Sequence, residues 1–292
     1  MSARSQITAA TDQQLIALLA TGRPLSHGIG GRSMELDIDG TRVFVKRVPL
    51  TDRELAHPGS TANLYDLPLW YQYGIGSAGF GAWRELAAHT MTTAWVLAGD
   101  YLGFPRMYHW RVLPDSPPDG FADEFGGVDG AVAHWDGSPA VRARLTDIGR
   151  SAASVVIFLE HVPHTLGEWL RDHDTFDWVD EALARGTTFM RAHRFVHFDA
   201  HFANILTDGR AVYFADFGLA LSANFELSRP ESDFLTLHLA YDRAVTVSHL
   251  LRSLPSADRY TELAAAVDTF HRRLFENKQT PFPAAEIERL SR

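Results

Sequence analysis

Two short segments late in the chain contain the residues best suited to chemistry. The sequence HFDAHFAN occupies residues 197–204, and DFG begins at Asp216. A carboxylate near a hydroxyl group can orient it or take its proton, and Mg²⁺ prefers oxygen ligands from carboxylates and amides. Asp199 is therefore the candidate that faces the hydroxyl, and Asn204 and Asp216 are the candidate Mg²⁺ ligands. Together they predict metal-dependent phosphoryl transfer.

Any one of these residues could be an ordinary turn residue, since Asp and Asn favour turns. Their joint spacing is more specific. The pattern HxDxxxxN followed by DFG resembles that of the protein-kinase-like superfamily. The resemblance implies an α+β, bilobal fold that uses ATP and Mg²⁺. It places a strand-rich N-terminal lobe at residues 1–160 and a helical C-terminal lobe at residues 161–292.

Further residues match the family in the expected order. Lys46, which follows Val-Phe-Val, resembles the strand lysine that holds the α- and β-phosphates of ATP. Glu85, on the next helical stretch, resembles its ion-pair partner. The backbone around Glu160 and Val162 resembles the hinge that binds adenine. A reduced glycine loop over the phosphates is matched by three residues: Gly28, Gly30 and Gly31.

Several features depart from the family pattern. The sequence GIGG at residues 28–31 lacks the full GxGxxG. An insertion must separate Lys46 from Glu85, and Glu54 within it is a rival partner for Lys46. His201 stands where protein Ser/Thr kinases usually carry Lys and aminoglycoside-type phosphotransferases usually carry His. The resemblance therefore implies a minimal, atypical member.

Three functional classes fit this resemblance: a protein Ser/Thr kinase, a small-molecule phosphotransferase of the aminoglycoside or choline kinase type, and a catalytically silent nucleotide-binding protein. His201 favours the second. Between Val162 and His197 there is room for only two helices, and the short tail after Gly218 offers no evident replacement for a helical substrate-binding insertion. This spacing favours Ser or Thr of a protein. The silent class is disfavoured because every expected catalytic side chain is present, and an adenylyl-transferring variant stays open.

The hydrophobic pattern predicts the elements that must position these residues. Strands are expected mainly in the first part of the chain and helices mainly in the second, without internal repeats. The expected segments are a helical extension over 1–27, a hairpin over 34–46, an irregular insertion at 114–139, a buried strand at 154–160, two short strands around Asp208-Gly209, and a helical tail from Glu231.

A second glycine run, residues 74–81, imitates a dinucleotide-binding fingerprint. The segment before it contains Pro68 and is not a Val/Ile-rich parallel strand. No regular alternation of strands and helices follows it. We therefore expect the run to be a flexible connection into the helix that carries Glu85, where its N–H groups could still bind an anion.

Composition narrows the function classes further. The 292 residues carry a net charge of −9, which argues against nucleic-acid binding through bulk positive charge. The chain has no Cys, so disulfides, Cys-ligated metal centres and a Cys nucleophile are excluded. The N-terminal segment does not match a signal peptide, and apolar runs such as Val155–Leu159 are far shorter than the ~20 residues that span a bilayer. We expect a cytoplasmic protein without membrane or nucleic-acid partners.

Overall fold

The computed structural model describes residues 2–254 and 260–291, and it shows the mixed α+β architecture that the sequence predicts. The chain divides into two compact units. The first contains Met1–Tyr71, Gly76–Thr93 and Pro105–His161. The second contains Gln72–Ile75, Ala94–Phe104 and Val162–Arg292.

A five-stranded antiparallel sheet forms the centre of the first unit. Its strands, in chain order, are β1 (Arg23–Gly28), β2 (Gly31–Ile38), β3 (Thr41–Leu50), β4 (Met107–Pro114) and β5 (Ala153–Glu160). Their spatial order is β1-β2-β3-β5-β4. The helices that begin in this unit are α1 (Ala3–Ala9), α2 (Asp12–Leu19), α3 (Asp52–Leu55), α4 (Ala82–Ala98), α5 (Val128–His134) and α6 (Pro139–Ile148).

The local expectations for this unit hold in part. The predicted hairpin is confirmed as β2 and β3 around Asp39-Gly40, but β3 continues past Lys46 to Leu50. The helical extension expected over 1–27 ends at Leu19, because the following residues pair with β2 as strand β1. The insertion at 114–139 contains a short 3₁₀ helix and α5.

Alternate residues of the central strand β5 serve two separate apolar clusters. Val156 and Phe158 belong to a cluster with residues of α1 and α2. Val155, Ile157 and Leu159 belong to the other, with residues of α4. Since side chains alternate across a strand, helices cover both faces of the sheet, and this explains why the segment is apolar without interruption.

A buried ion pair joins two helical segments outside the sheet. Glu54 on α3 and Arg144 on α6 are each about 2% exposed, and their charged groups lie 2.8 Å apart. Thr51 donates its N–H and hydroxyl to the same carboxylate, at 3.0 and 2.7 Å. Burial favours the neutral acid, but the charge of Arg144 and the hydrogen bonds from Thr51 outweigh it and lower the pKa of Glu54.

The second unit is mostly helical. Its helices are α7 (Leu166–Trp169), α8 (Phe176–Ala192), α9 (Arg229–Leu237), α10 (Tyr241–Ser253), α11 (Thr261–Glu276) and α12 (Ala284–Leu290). Its short strands are β6 (His164–Thr165), β7 (Phe195–Val196), β8 (Ile205–Thr207), β9 (Val212–Phe214) and β10 (Leu221–Ser222). The predicted strands around Asp208-Gly209 and the helical tail are confirmed. Over the described ranges, no helix has the length and apolar character needed to cross a membrane.

Because the Glu54–Arg144 pair is buried, we expect a substitution of Arg144 to lower the unfolding free energy far more than the same substitution of the exposed Arg142. Arg144→Met would leave the Glu54 carboxylate buried without its cation, so we expect a loss of about 3–5 kcal/mol in unfolding free energy. Arg142→Met is the matched control, because its partner Asp129 and Arg142 itself are 87% and 52% exposed. That change should cost about 1 kcal/mol or less. Urea denaturation measures both, and equal losses would contradict the assignment.

Candidate active site

Strand β3 directs Lys46 towards α4. Lys46 has the same parity along the strand as Val48 and Leu50, whose side chains pack in the cluster that contains α4 residues. Its Nζ lies 2.6 Å from Oε1 of Glu85 on that helix. Both residues are buried, at 8% and 2% exposure. Lys46 thus pairs with Glu85, and the rival Glu54 pairs with Arg144 instead.

Glu54 still affects this pair, through the start of α4. Its Oε1 accepts the backbone N–H of Ala82 at 2.7 Å, and its carbonyl oxygen accepts Nε1 of Trp83 at 2.9 Å. The first amides of a helix have no partners within the helix, and a carboxylate there is favoured by the helix dipole. Glu54 therefore fixes the turn that precedes Glu85, a role that the sequence analysis missed.

The glycine turn predicted over the phosphates joins β1 to β2. Gly31 has φ +126°, and a Cβ there would collide with the carbonyl oxygen of Arg47. Gly28 and Gly30 have open space where a Cβ would lie. Only Gly31 is therefore required by the backbone, and phosphate contact at this turn stays a prediction.

The predicted hinge segment lies at the end of β5. The backbone N–H of Glu160 donates to the carbonyl oxygen of Arg106 at 2.8 Å, and its carboxylate accepts two bonds from the Arg106 guanidinium. That N–H is thus committed within the first unit. Adenine binding by the backbone around Glu160 and Val162 stays a prediction.

In the second unit, hydrogen bonds join Asp199, Asn204 and the residue before Asp216. Nδ2 of Asn204 donates to the Asp199 carbonyl oxygen at 3.1 Å and to its Oδ2 at 2.8 Å. The N–H of Ala215 donates to the Asn204 carbonyl oxygen at 3.0 Å. The two segments singled out from the sequence therefore meet: Asp199 and Asn204 are bonded to each other, and Asp216 directly follows the residue that is bonded to Asn204.

His197 has a structural role in the loop before Asp199. Its side chain is fully buried, its Nδ1 accepts the Asp199 N–H at 3.3 Å, and its Nε2 donates to the Ala215 carbonyl oxygen at 2.8 Å. Burial lowers the pKa of His197 to about 4. The neutral ring thus bridges the two loops.

Asp242 holds the backbone of the loop that precedes Asp199, and it was not identified from the sequence. Its carboxylate accepts the backbone N–H groups of His197 and Phe198, at 2.7 and 3.0 Å. It lies on α10, is 4% exposed, and burial raises its pKa to about 7. Phe198 has φ 63°, which is unfavourable for a residue with a side chain. Asp242 therefore stabilises a strained turn directly before Asp199.

The donor set at Asn204 and Asp216 fits Mg²⁺. Because the amide nitrogen of Asn204 is committed to Asp199, its amide oxygen is the atom that can face a cation. Asp216 supplies a carboxylate, whose Oδ1 accepts the Gly218 N–H at 3.3 Å. Mg²⁺ is typically bound by one or two such oxygens together with substrate phosphates and water. Within residues 2–254 and 260–291, no group of three or more His, Cys, Asp or Glu could hold a metal.

The glycine run at 74–81 has a specific relation to Asp199. A Cβ on Gly74 would collide with Oδ1 of Asp199. A Cβ on Gly76, which has φ +98°, would collide with the ring of Phe125. These positions need glycine because of close approach by other side chains, and the structure has no strand-glycine-helix unit of the dinucleotide type here.

Asp199 also lies in the wall of a cavity of about 710 Å³ in the second unit. Residues of α10 and α11 form most of the remaining wall. The tail after Gly218 therefore contributes a concave surface next to Asp199, and the acceptor class stays a prediction.

No protein-family model matches the chain, and no curated protein matches it. The assignment of a function therefore depends on the geometry of the residues themselves.

The two amides held by Asp242 generate a prediction. In Asp242→Asn, one acceptor oxygen becomes an NH₂ group that faces a buried N–H, so we expect a loss of about 1–3 kcal/mol in unfolding free energy. Asp233→Asn on α9 is the control, because the Asp233 side chain is 74% exposed. Chemical denaturation compares the two variants. A neutral effect at Asp242 would show that its hydrogen bonds do not stabilise the loop.

Proposed function

We propose that the protein is an ATP- and Mg²⁺-dependent phosphotransferase of the protein-kinase-like type, which transfers the γ-phosphate to a hydroxyl group. The observation that carries the proposal is the hydrogen-bonded group of Asp199, Asn204 and Ala215, which joins the loop of the candidate base and one candidate metal ligand to the segment that carries the other, Asp216. The buried Lys46–Glu85 pair in the first unit supports it independently.

In this reaction the acceptor oxygen forms a bond to the γ-phosphorus. The bond from that phosphorus to the β–γ bridging oxygen breaks, and ADP leaves with the electron pair. Asp199 orients the hydroxyl group, accepts its proton and later releases it to solvent. Asn204 and Asp216 would hold Mg²⁺, which neutralises phosphate charge when it is bound. Lys46, kept in place by Glu85, would contact the α- and β-phosphates.

The acceptor class divides the proposal into two forms. The short spacing between Val162 and His197 favours Ser or Thr of a protein. The cavity beside Asp199 favours a small-molecule alcohol, because small ligands need a concave site that buries most of their surface. We give the cavity more weight, since it removes the main sequence argument against a small acceptor.

Two substitutions should separate chemistry from nucleotide binding. Asp199→Asn should reduce γ-phosphate transfer by about 100-fold or more while Mg²⁺-ATP binding stays nearly unchanged. Asp216→Ala should instead remove the Mg²⁺ dependence of ATP binding. Calorimetry measures ATP binding. Transfer is measured in cell extract with γ-labelled ATP and, separately, with α-labelled ATP, by recording which label becomes attached to an acceptor. Near-normal transfer by Asp199→Asn would refute its role, and movement of the α label would indicate adenylyl transfer.

Gly74 provides a more selective test of the base. In Gly74→Ala, the new Cβ must displace the Asp199 carboxylate, and a shift of about 1 Å can cost about 100-fold in rate. ATP affinity should stay the same. The control is Gly149→Ala, where a Cβ would have ordinary contacts of 3.4–3.6 Å. Equal transfer rates in the two variants would contradict the importance of this close approach.

A further inference from the structure

The cavity beside Asp199 has the dimensions of a small-molecule site. Its volume of about 710 Å³ lies within the roughly 300–1,000 Å³ of typical ligand pockets. Residues of α10 line it at helical spacing, beginning with Tyr241 and Val245, and residues of α11 line the other side. Gly74, Ile75 and the loop Phe198–His201 complete the wall. The reactive carboxylate therefore lies in a wall built largely by two helices.

Three imidazole rings contribute to this wall: His201, His249 and His271. Burial lowers the pKa of His249 to about 4 and also lowers the pKa of His271. Nε2 of His271 lies 3.0 Å from the Tyr241 hydroxyl, which orients that ring. A neutral imidazole offers one donor and one acceptor, as a hydroxyl group does. The half-buried rings of His249 and His271 are thus suited to bind hydroxyl groups.

The charged residues of the wall are nearly balanced. Arg252 and Asp268 form an ion pair at 2.5 Å, and Ser248 bonds to both. Arg272 and Glu276 lie one turn apart on α11 and carry opposite charges. The wall thus holds three carboxylates and two guanidinium groups, so it offers neither a polycation nor a polyanion a surface of uniformly opposite charge. An uncharged ligand does not need such a surface.

Aromatic surface makes up part of the same wall, from Phe198, Tyr241 and Phe275. Phe275 is 58% exposed at the surface of the unit, whereas Phe198 and Tyr241 are buried. Such surface favours a ligand with an apolar face. Ring-shaped polyols combine an apolar face with hydroxyl groups at the edge, so their chemistry pairs with both the aromatic rings and the imidazoles of the wall.

We propose that this cavity binds the phosphoryl acceptor, a small uncharged molecule with several hydroxyl groups, and presents one of them to Asp199. This inference rests on the proposed phosphotransferase function. In this transfer the polyol oxygen forms the bond to the γ-phosphorus, and the bond from that phosphorus to the β–γ bridging oxygen breaks. Asp199 takes the hydroxyl proton, and ADP leaves with the electron pair.

The test measures binding and transfer separately on the full chain. The probes are glucose, ribose and myo-inositol as neutral polyols, kanamycin as a polycation, and a mixture of Ser/Thr peptides. Calorimetry without ATP should show a neutral polyol binding with a Kd below about 1 mM. His249→Phe keeps an aromatic ring at this position but removes both ring nitrogens, so it should weaken polyol binding about tenfold. His173→Phe, at an exposed ring outside the cavity, should not change it.

Phe275→Ala is the second variant, because a largely exposed side chain can be removed with little risk to folding. It should also weaken polyol binding.

Binding of a neutral polyol and transfer of the γ label to it, both reduced in His249→Phe, would support the inference. Binding without transfer would support the cavity as a polyol site and refute the phosphotransferase function. Transfer only to kanamycin or peptides would refute the inference and keep the function. The absence of binding by every neutral polyol would also overturn it.

Discussion

A buried carboxylate that accepts backbone hydrogen bonds fixes the candidate site in each unit. In the first unit, Glu54 holds the N–H of Ala82, one turn before Glu85. In the second, Asp242 holds two N–H groups directly before Asp199. A buried charge is costly unless it is fully bonded, so each carboxylate tolerates little movement of its donors. This requirement fixes the backbone next to the candidate site residues Glu85 and Asp199.

The two buried carboxylates, Glu54 and Asp242, are stabilised by different partners. Glu54 has the cation of Arg144 beside it, and its pKa is lowered despite complete burial. Asp242 depends mainly on backbone donors, and burial raises its pKa to about 7. Its hydrogen bonds nevertheless hold Phe198 in a left-handed conformation, which Asp216 also adopts with φ 62°. Such conformations cost about 1–3 kcal/mol each and persist only where surrounding contacts enforce them.

The sequence predicts elements and contacts between residues that are close along the chain, but not hydrogen bonds between distant residues. Alternating apolar residues predict the β2–β3 hairpin, and short motif spacing brings Asp199, Asn204 and Asp216 to two neighbouring loops. Glu54 pairs with a residue 90 positions away, so no local pattern distinguishes it from a partner of Lys46. Asp242 lies inside an ordinary helix, with its donors 44 and 45 positions earlier. Long-range hydrogen bonds of this kind leave no periodic signal in one sequence.

The cavity beside Asp199 shows why the length of a segment is a poor measure of the concave surface that it can form. A cavity needs two helices whose facing side chains leave space, and it does not need an added subdomain. On α10 the wall residues recur every three or four positions, from Tyr241 to Arg252. On α11 they follow the same helical face as Asp268, His271, Arg272, Phe275 and Glu276. Their helical faces were visible in the sequence, but their facing arrangement was not. Because the burial that creates this wall also keeps His249 neutral, the packing of the two helices determines the size of the cavity and the kind of hydrogen bonds it offers.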